Sequence, residues 1–159
     1  MSDFIKIAKV AAQIDWQWDG EWWVSEASRL GFKHEKSSAS LEVHADPDGN
    51  AWRARVKEGK ILFIEITFEK FVDVESLSVS EYEDKVDEFF ARFEAAVAEL
   101  TPALGKPVFS DGAAAKGFPD DQEANWLALW HVKNARLMLE QKHESREFPF
   151  RLCFVIAPA

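Results

Sequence analysis

The apolar positions near the start of the chain follow the spacing of an amphipathic helix. Four of them recur at i, i+3, i+4 and i+7, which share one helix face: Phe4, Ile7, Ala8 and Ala11. This spacing predicts a helix over residues 3–14. A second helix is predicted from about residue 20 to residue 30. Asp19 is suited to cap its first turn, and Gly31 is suited to the left-handed conformation that often ends a helix.

The pattern then changes to the two-residue period of β-strands. Residues 41–45 and 52–56 alternate apolar and polar side chains, and the turn-forming stretch 46–50 separates them. These two segments are therefore predicted to form a hairpin. The third segment, 61–68, starts with apolar residues on both faces, which indicates a strand inside the sheet.

A longer helix is predicted after residue 80. Ser80 and Glu83 have the spacing of a capping box, in which each side chain bonds the other residue's backbone N–H. Apolar residues follow on one helix face: Val86, Phe89, Phe90, Phe93, Val97 and Leu100. Pro102 and Gly105 predict that the helix closes by about residue 104.

The last third of the chain combines a loop with three more strands. Residues 110–124 are polar and rich in small side chains, which predicts a long mobile loop. Segments 126–132, 135–141 and 150–156 are predicted strands. The complete pattern predicts a single α+β domain over residues 1–159, with the order ααβββ-α-βββ. Its sheet is expected to have about six strands, mainly antiparallel, with the helices packed on one face.

The charge of the chain limits its partners. The formal net charge is −9, and −8 of it falls between residues 65 and 99. Nucleic-acid binding depends on Lys and Arg neutralising phosphates, so no nucleic-acid partner is expected, and the same balance argues against anionic membranes.

We expect a cytoplasmic protein, because the sequence has neither a secretory signal nor an apolar run of about 20 residues. Its single cysteine, Cys153, cannot form an internal disulfide.

The acidic helix has two interpretations. Carboxylates on a helix commonly form a solvated face, and those in the first turn also interact favourably with the helix dipole. A concentrated negative field can instead dock a basic protein. The candidate docking residues are Glu81, Asp84, Asp87, Glu88 and Glu94.

Four of the seven tryptophans lie between residues 16 and 23. Trp23 shares an apolar stripe with Ala27 and Leu30, so we assign it to the core. Trp16, Trp18 and Trp22 are candidate partner contacts, because they cannot all point inward. Acidic neighbours disfavour base stacking, whereas a partner's Lys or Arg suits an indole with carboxylates beside it. Sugar stacking is a remaining alternative.

A polar pocket is the second candidate site. Pairing of the 41–45 and 52–56 strands would place His44 near Arg53 and Arg55, with Glu65 on the next strand. Simple cross-strand charge pairing explains the same residues. The sharper alternative is an anion site or an acid–base pair.

No metal or cofactor is expected. The four histidines are scattered and show none of the usual zinc spacings. The 46–50 turn has its glycine at the fourth position rather than the sixth position of a calcium loop. Gly112 and Gly117 have the outer spacing of a P-loop, but Phe118 and Pro119 follow where Lys and Ser or Thr belong.

The acidic block over 65–99 and the tryptophan cluster over 16–23, on one small domain, resemble the small acidic immunity proteins of bacterial toxin–immunity systems. The resemblance implies a non-enzymatic protein that occludes the active or substrate-binding surface of a basic cognate toxin. It carries over no residue roles, because these proteins are diverse in fold. Two alternatives stay open: a secretion-type chaperone, and an enzyme or small-ligand binder with a pocket between helices and sheet.

Overall fold

Eight antiparallel strands form one sheet in the computed structural model, which describes residues 3–159. Three helices accompany it: α1 (Asp3–Gln13), α2 (Gly20–Arg29) and α3 (Val79–Leu104). The first four strands are β1 (Lys33–Ser37), β2 (Leu41–Ala45), β3 (Ala51–Lys57) and β4 (Lys60–Phe71). The last four are β5 (Phe109–Gly112), β6 (Trp126–Val132), β7 (Ala135–Lys142) and β8 (Phe150–Pro158).

The sheet consists of two four-stranded meanders that meet in its centre. The strand order is β1-β2-β3-β4-β8-β7-β6-β5, so β4 and β8 form the join. Helix α3 carries the chain from the end of β4 to β5 at the far edge. Each meander therefore begins at an edge of the sheet, with β1 or β5, and runs toward the centre. Helices α1 and α2 precede the first meander, and α3 precedes the second.

The predicted α+β class and the antiparallel sheet are confirmed, but the strand count was wrong. The element order is ααββββ-α-ββββ, with β1 and β5 added to the six predicted strands. All five residues of β1 are exposed, so this edge strand has no apolar alternation to mark it. Strand β5 has only four residues and lies at the other edge, and it overlaps the start of the predicted loop.

The helix ends follow local capping chemistry. The Asp19 carboxylate accepts hydrogen bonds from two backbone N–H groups of α2, as predicted. Gly31 has a φ of +81°, and the pair of hydrogen bonds around it is that of a Schellman motif. The capping box of α3 was placed wrongly, because Ser78 rather than Ser80 is the N-cap. The Ser78 hydroxyl accepts from Glu81 N, and the Glu81 carboxylate accepts from Ser78 N.

The main core lies between the helices and one face of the sheet. Its central sheet residues are fully buried and come from the two joined strands: Ile64, Ile66, Phe154 and Ile156. Helices contribute Ala8, Trp23, Phe93 and Leu100, among others. No helix in the described part of the chain is long and apolar enough to span a membrane.

A smaller apolar cluster covers the opposite face of the sheet. Phe118, from the segment predicted as a loop, packs against buried residues of β6, β7 and β8: Leu127, Leu129, Met138, Val155 and Ala157. The Asp121 carboxylate of the same segment accepts hydrogen bonds of 2.8 and 2.6 Å from the Arg136 guanidinium. Residues 110–124 are thus partly strand β5 and partly a segment anchored over the sheet.

Replacing the N-cap of α3 tests the corrected helix start. Ser78→Ala is expected to lower the free energy of unfolding by about 1 kcal/mol, because the Glu81 backbone N–H loses the hydroxyl that caps it. Ser80→Ala is the matched control and should change it by less than about 0.5 kcal/mol. Urea denaturation of both variants measures the difference, and equal effects would contradict the assignment of the cap.

Candidate functional site

The outward face of α3 carries exposed carboxylates. Asp84, Asp87 and Glu94 are exposed and form no ion pair with any other residue from 3 to 159. The remaining two predicted docking residues have local partners. Glu81 belongs to the capping box, and Glu88 pairs with Lys85 and Arg92 at 2.6 and 2.7 Å. We call Asp84, Asp87 and Glu94 the acidic face of α3.

The two bases of α3 are both engaged to one side of this acidic face. Lys85 pairs with Glu88 and lies 4.4 Å from the Phe71 ring centre, and Arg92 pairs with Glu88 and with Glu69 of β4. Hydrogen bonds from Lys85 and then Arg92 hold the pKa of Glu88 below its usual range. Both cations are therefore drawn toward β4 and away from the acidic face.

The tryptophan cluster is mainly structural. Trp16 is buried, donates a 2.9 Å hydrogen bond to the Ala11 carbonyl, and stacks between Trp18 and Trp23. Trp23 is fully buried, which places it in the core as predicted, and it also stacks on Trp52. Trp16 is therefore not available to a partner. Trp18 and Trp22 are half-buried and still present part of their rings to solvent.

The tryptophans and the acidic face of α3 do not form one surface. Trp18 donates a 2.8 Å hydrogen bond to the Asn134 carbonyl, just before β7 begins. Tyr82, in the first turn of α3, hydrogen-bonds His143, just after β7 ends. The eight residues of β7 separate these contacts, a length of roughly 25 Å. A partner docked at the start of α3 would not reach the tryptophans with the same small patch.

The predicted polar pocket is not formed. His44 pairs with Trp52 and faces the helices, whereas Arg53 pairs with Glu65 and faces the other side of the sheet. Side chains alternate along a strand, so neighbours in sequence lie on opposite faces. Arg53 and Arg55 are exposed, and Glu65 forms its ion pairs with other residues.

A charged cluster at the join of the meanders was not predicted. Glu65 accepts hydrogen bonds from Lys142 at 3.0 Å and from Arg151 at 2.8 Å, and all three side chains are at most 23% exposed. Burial alone would raise the pKa of Glu65, but Lys142 and Arg151 outweigh it and hold this pKa below its usual range. The signal in the sequence was a run of charges within otherwise apolar strands, Glu140 and Lys142 in β7 and Arg151 in β8.

Glu140 is the most perturbed group in this cluster. Its side chain is fully buried, and neither carboxylate oxygen has a hydrogen-bond partner within residues 3–159. Burial raises its pKa to about 8, although Lys142 lies 3.9 Å away. Cys153 is paired opposite Glu140, and burial together with Glu65 raises the pKa of its thiol to about 12. This thiol is therefore an inert packing group.

An open groove of about 480 Å³ lies beside the charged cluster. Its walls carry three bases and two acids, together with Phe148 and Pro149: Lys70, Lys142, Arg151, Glu123 and Glu144. Arg151 also pairs with Glu144 at 2.9 Å. The groove could hold a small polar ligand, with an anionic group directed at the bases.

Three side chains with metal-ligand chemistry meet at the other edge of the sheet. His34 of β1 with Glu42 and His44 of β2 each place one donor atom within 4.8 Å of the others. His34 Nε2 is 3.4 Å from a Glu42 carboxylate oxygen. Burial and the neighbouring His34 lower the pKa of His44. Sequence spacing missed this group because pairing of two strands, rather than one local motif, assembles it.

The stability of the protein should depend on pH through Glu140. Its pKa is about 8 in the folded protein and near 4.5 when exposed, so between these values only the folded state holds the proton. The free energy of unfolding contributed by this group is complete below pH 4.5 and falls as pH rises, by up to about 1.4 kcal/mol per unit. Glu140→Gln stays neutral and should lose this dependence.

Urea titrations of the original protein and the Glu140→Gln variant at pH 5 and pH 8 provide the measurement. Lys142, Glu65, Asp121 and Arg136 also act on Glu140. They are present in both proteins, so their own titration largely cancels in the difference. The variant should gain stability relative to the original protein at pH 8. Parallel pH profiles would show that the Glu140 proton is not linked to folding.

Comparisons of the chain with protein-family models, curated proteins and solved structures find no match.

Proposed function

We propose that this protein is a non-enzymatic binding domain that docks a basic protein on the acidic face of α3. The immunity-type role remains the specific form of this proposal: the partner is a basic toxin, and docking occludes its active or substrate-binding surface. The observation that supports it best is the set of three exposed carboxylates, Asp84, Asp87 and Glu94, without counter-ions among the described residues.

The shape of the helix surface favours close approach. Residues 84, 87, 91, 94, 95 and 98 fall on one side of α3 and are all exposed. Three of them are the carboxylates and the other three are alanines: Ala91, Ala95 and Ala98. Short side chains between the charges leave space for the long side chains of Lys or Arg from a partner. Such a surface can therefore combine charge attraction with contact along the helix.

The charge balance of α3 favours attraction of a basic partner, because the bases of the helix do not neutralise its acids. The helix contains seven acids and two bases, and both bases are already held by Glu88 and Glu69. A field of one sign speeds association with an oppositely charged protein and makes the rate depend on ionic strength. A solvated face alone would not require Lys85 and Arg92 to be turned away from the exposed acids.

Small-ligand binding in the groove beside Lys142 and Arg151 is a second candidate function. It is supported by the half-buried cations Lys142 and Arg151 at the groove wall. It differs from the earlier expectation, because it uses the sheet face opposite the helices and excludes His44.

Charge reversal of the acidic face tests the docking proposal. The triple variant Asp84→Lys, Asp87→Lys and Glu94→Lys should bind the partner at least about 100-fold more weakly, if each carboxylate contributes roughly 1 kcal/mol. The partner is captured on the immobilised protein from an extract of the source cells and identified by mass spectrometry. Its affinity is then measured with purified protein at low and high salt.

The matched control reverses three exposed carboxylates that lie outside α3 and outside the groove: Glu21, Glu58 and Asp120. It changes the net charge by the same amount and should keep at least a third of the affinity at moderate salt. Inhibition of the partner's activity by the original protein, and not by the triple variant, would support the immunity-type role. Equal binding by both triple variants, or a captured partner without a basic surface, would contradict the proposal.

A further inference from the structure

We propose that His34, Glu42 and His44 form a binding site for a divalent transition metal, with Zn²⁺ the best match. One donor atom from each residue lies within 4.8 Å of the others. Two zinc ligands at bond lengths of about 2.0–2.1 Å lie about 3.3 Å apart in tetrahedral geometry. His34 Nε2 and the Glu42 carboxylate already have this spacing, at 3.4 Å. To bind the ion, the donor atoms that are farthest apart would therefore have to approach each other by at most about 1.5 Å.

An irregularity in β1 builds the surroundings of these ligands. His34 lies opposite His44, and Ser37 lies opposite Glu42, so Glu35 is an extra residue in β1. Residues three apart in a regular strand point to opposite faces. The extra residue restores His34 and Ser37 to the same face, as β-bulges commonly do beside functional sites.

The bulge also orients the carboxylate ligand. The Ser37 hydroxyl donates a hydrogen bond to Glu42 Oε1, which directs the other oxygen, Oε2, toward His34. Metal ligands typically have such outer partners, which fix the orientation of the donor atom. In this site Ser37 is therefore a positioning residue.

Two buried polar atoms give an independent indication of a ligand. His44 is 1% exposed, and its Nδ1 has no hydrogen-bond partner within residues 3–159. Glu42 Oε2 is also buried and accepts no hydrogen bond in the same range, although His34 Nε2 lies 3.4 Å away. Buried polar groups nearly always have a partner, because the loss of water is otherwise uncompensated. A metal ion held by His34, Glu42 and His44 would give Glu42 Oε2 a partner, and it would be coordinated by the buried His44 imidazole.

The donor set selects the class of ion. Two imidazoles and one carboxylate suit Zn²⁺ and its transition-metal neighbours, whereas Ca²⁺ and Mg²⁺ require mainly oxygen ligands. His34 lies on the exposed edge strand, so a fourth coordination position would face solvent. The ion would join β1 to β2 and thereby stabilise the edge of the sheet. This site is independent of the acidic face of α3.

Calorimetric titration with ZnCl₂ tests the site. The untagged protein is treated with EDTA, dialysed and titrated, and one equivalent should bind with a thermal midpoint that rises with zinc concentration. His34→Ala removes an exposed ligand, so the fold is retained, and should weaken binding more than about 100-fold. Ser37→Ala should weaken it about tenfold. His131→Ala removes an exposed histidine elsewhere and should bind as the original protein does.

Proton NMR of the imidazole signals identifies the ligands directly. One equivalent of Zn²⁺ should shift the signals of His34 and His44 and leave those of His131 unchanged. The proposal is overturned if the original protein binds no stoichiometric zinc, if His34→Ala binds as tightly as the original protein, or if His131→Ala weakens binding as much. Mg²⁺ at the same concentration serves as the control ion and should give no stoichiometric binding.

Discussion

The pairing of β4 with β8 is the interaction on which the rest of this structure depends. It joins two four-stranded meanders that are far apart in the sequence, with partners such as Ile64 and Ile156 directly opposite each other. Every side chain that this pairing directs toward the helices is apolar and fully buried at the centre. The helices can therefore pack on a continuous apolar surface, and α3 can cross from one meander to the other.

The same pairing creates the charged cluster on the opposite face. Helices cover only one side of the sheet, and Phe118 with its apolar neighbours covers only part of the other. Glu65 from β4 and Arg151 from β8 meet there with Lys142, where solvent is partly excluded. Ions in such a position lose hydration, so they are retained only when paired closely. Glu140 lies deeper still, and burial keeps its carboxyl protonated to a higher pH.

Aromatic density and exposure are separate properties in this protein. The stretch 16–23 has the aromatic content of a binding surface. Trp16 and Trp23 are nevertheless buried and stack on each other, and Trp23 also stacks on Trp52 of β3. A Trp has a large apolar surface, and several stacked indoles fill a wide gap between a short helix and a sheet. The surface that we propose for docking is chemically plainer, since it consists of carboxylates separated by alanines. Charge without a local counter-ion, rather than aromatic content, distinguishes it.

Local patterns in the sequence determined the three helices, six of the eight strands, the cap at Asp19 and the turn at Gly31, because each depends on contacts within a few residues. Tertiary structure decided the rest. The exposed edge strand β1 carries no apolar alternation, and its bulge sets which residues face His44. The face occupied by each residue of the expected polar pocket depended on strand register, which separated His44 from Arg53 and Glu65. Long-range pairing assembled both the Glu65 cluster and the His34, Glu42 and His44 group, and no spacing along the chain encodes such pairing.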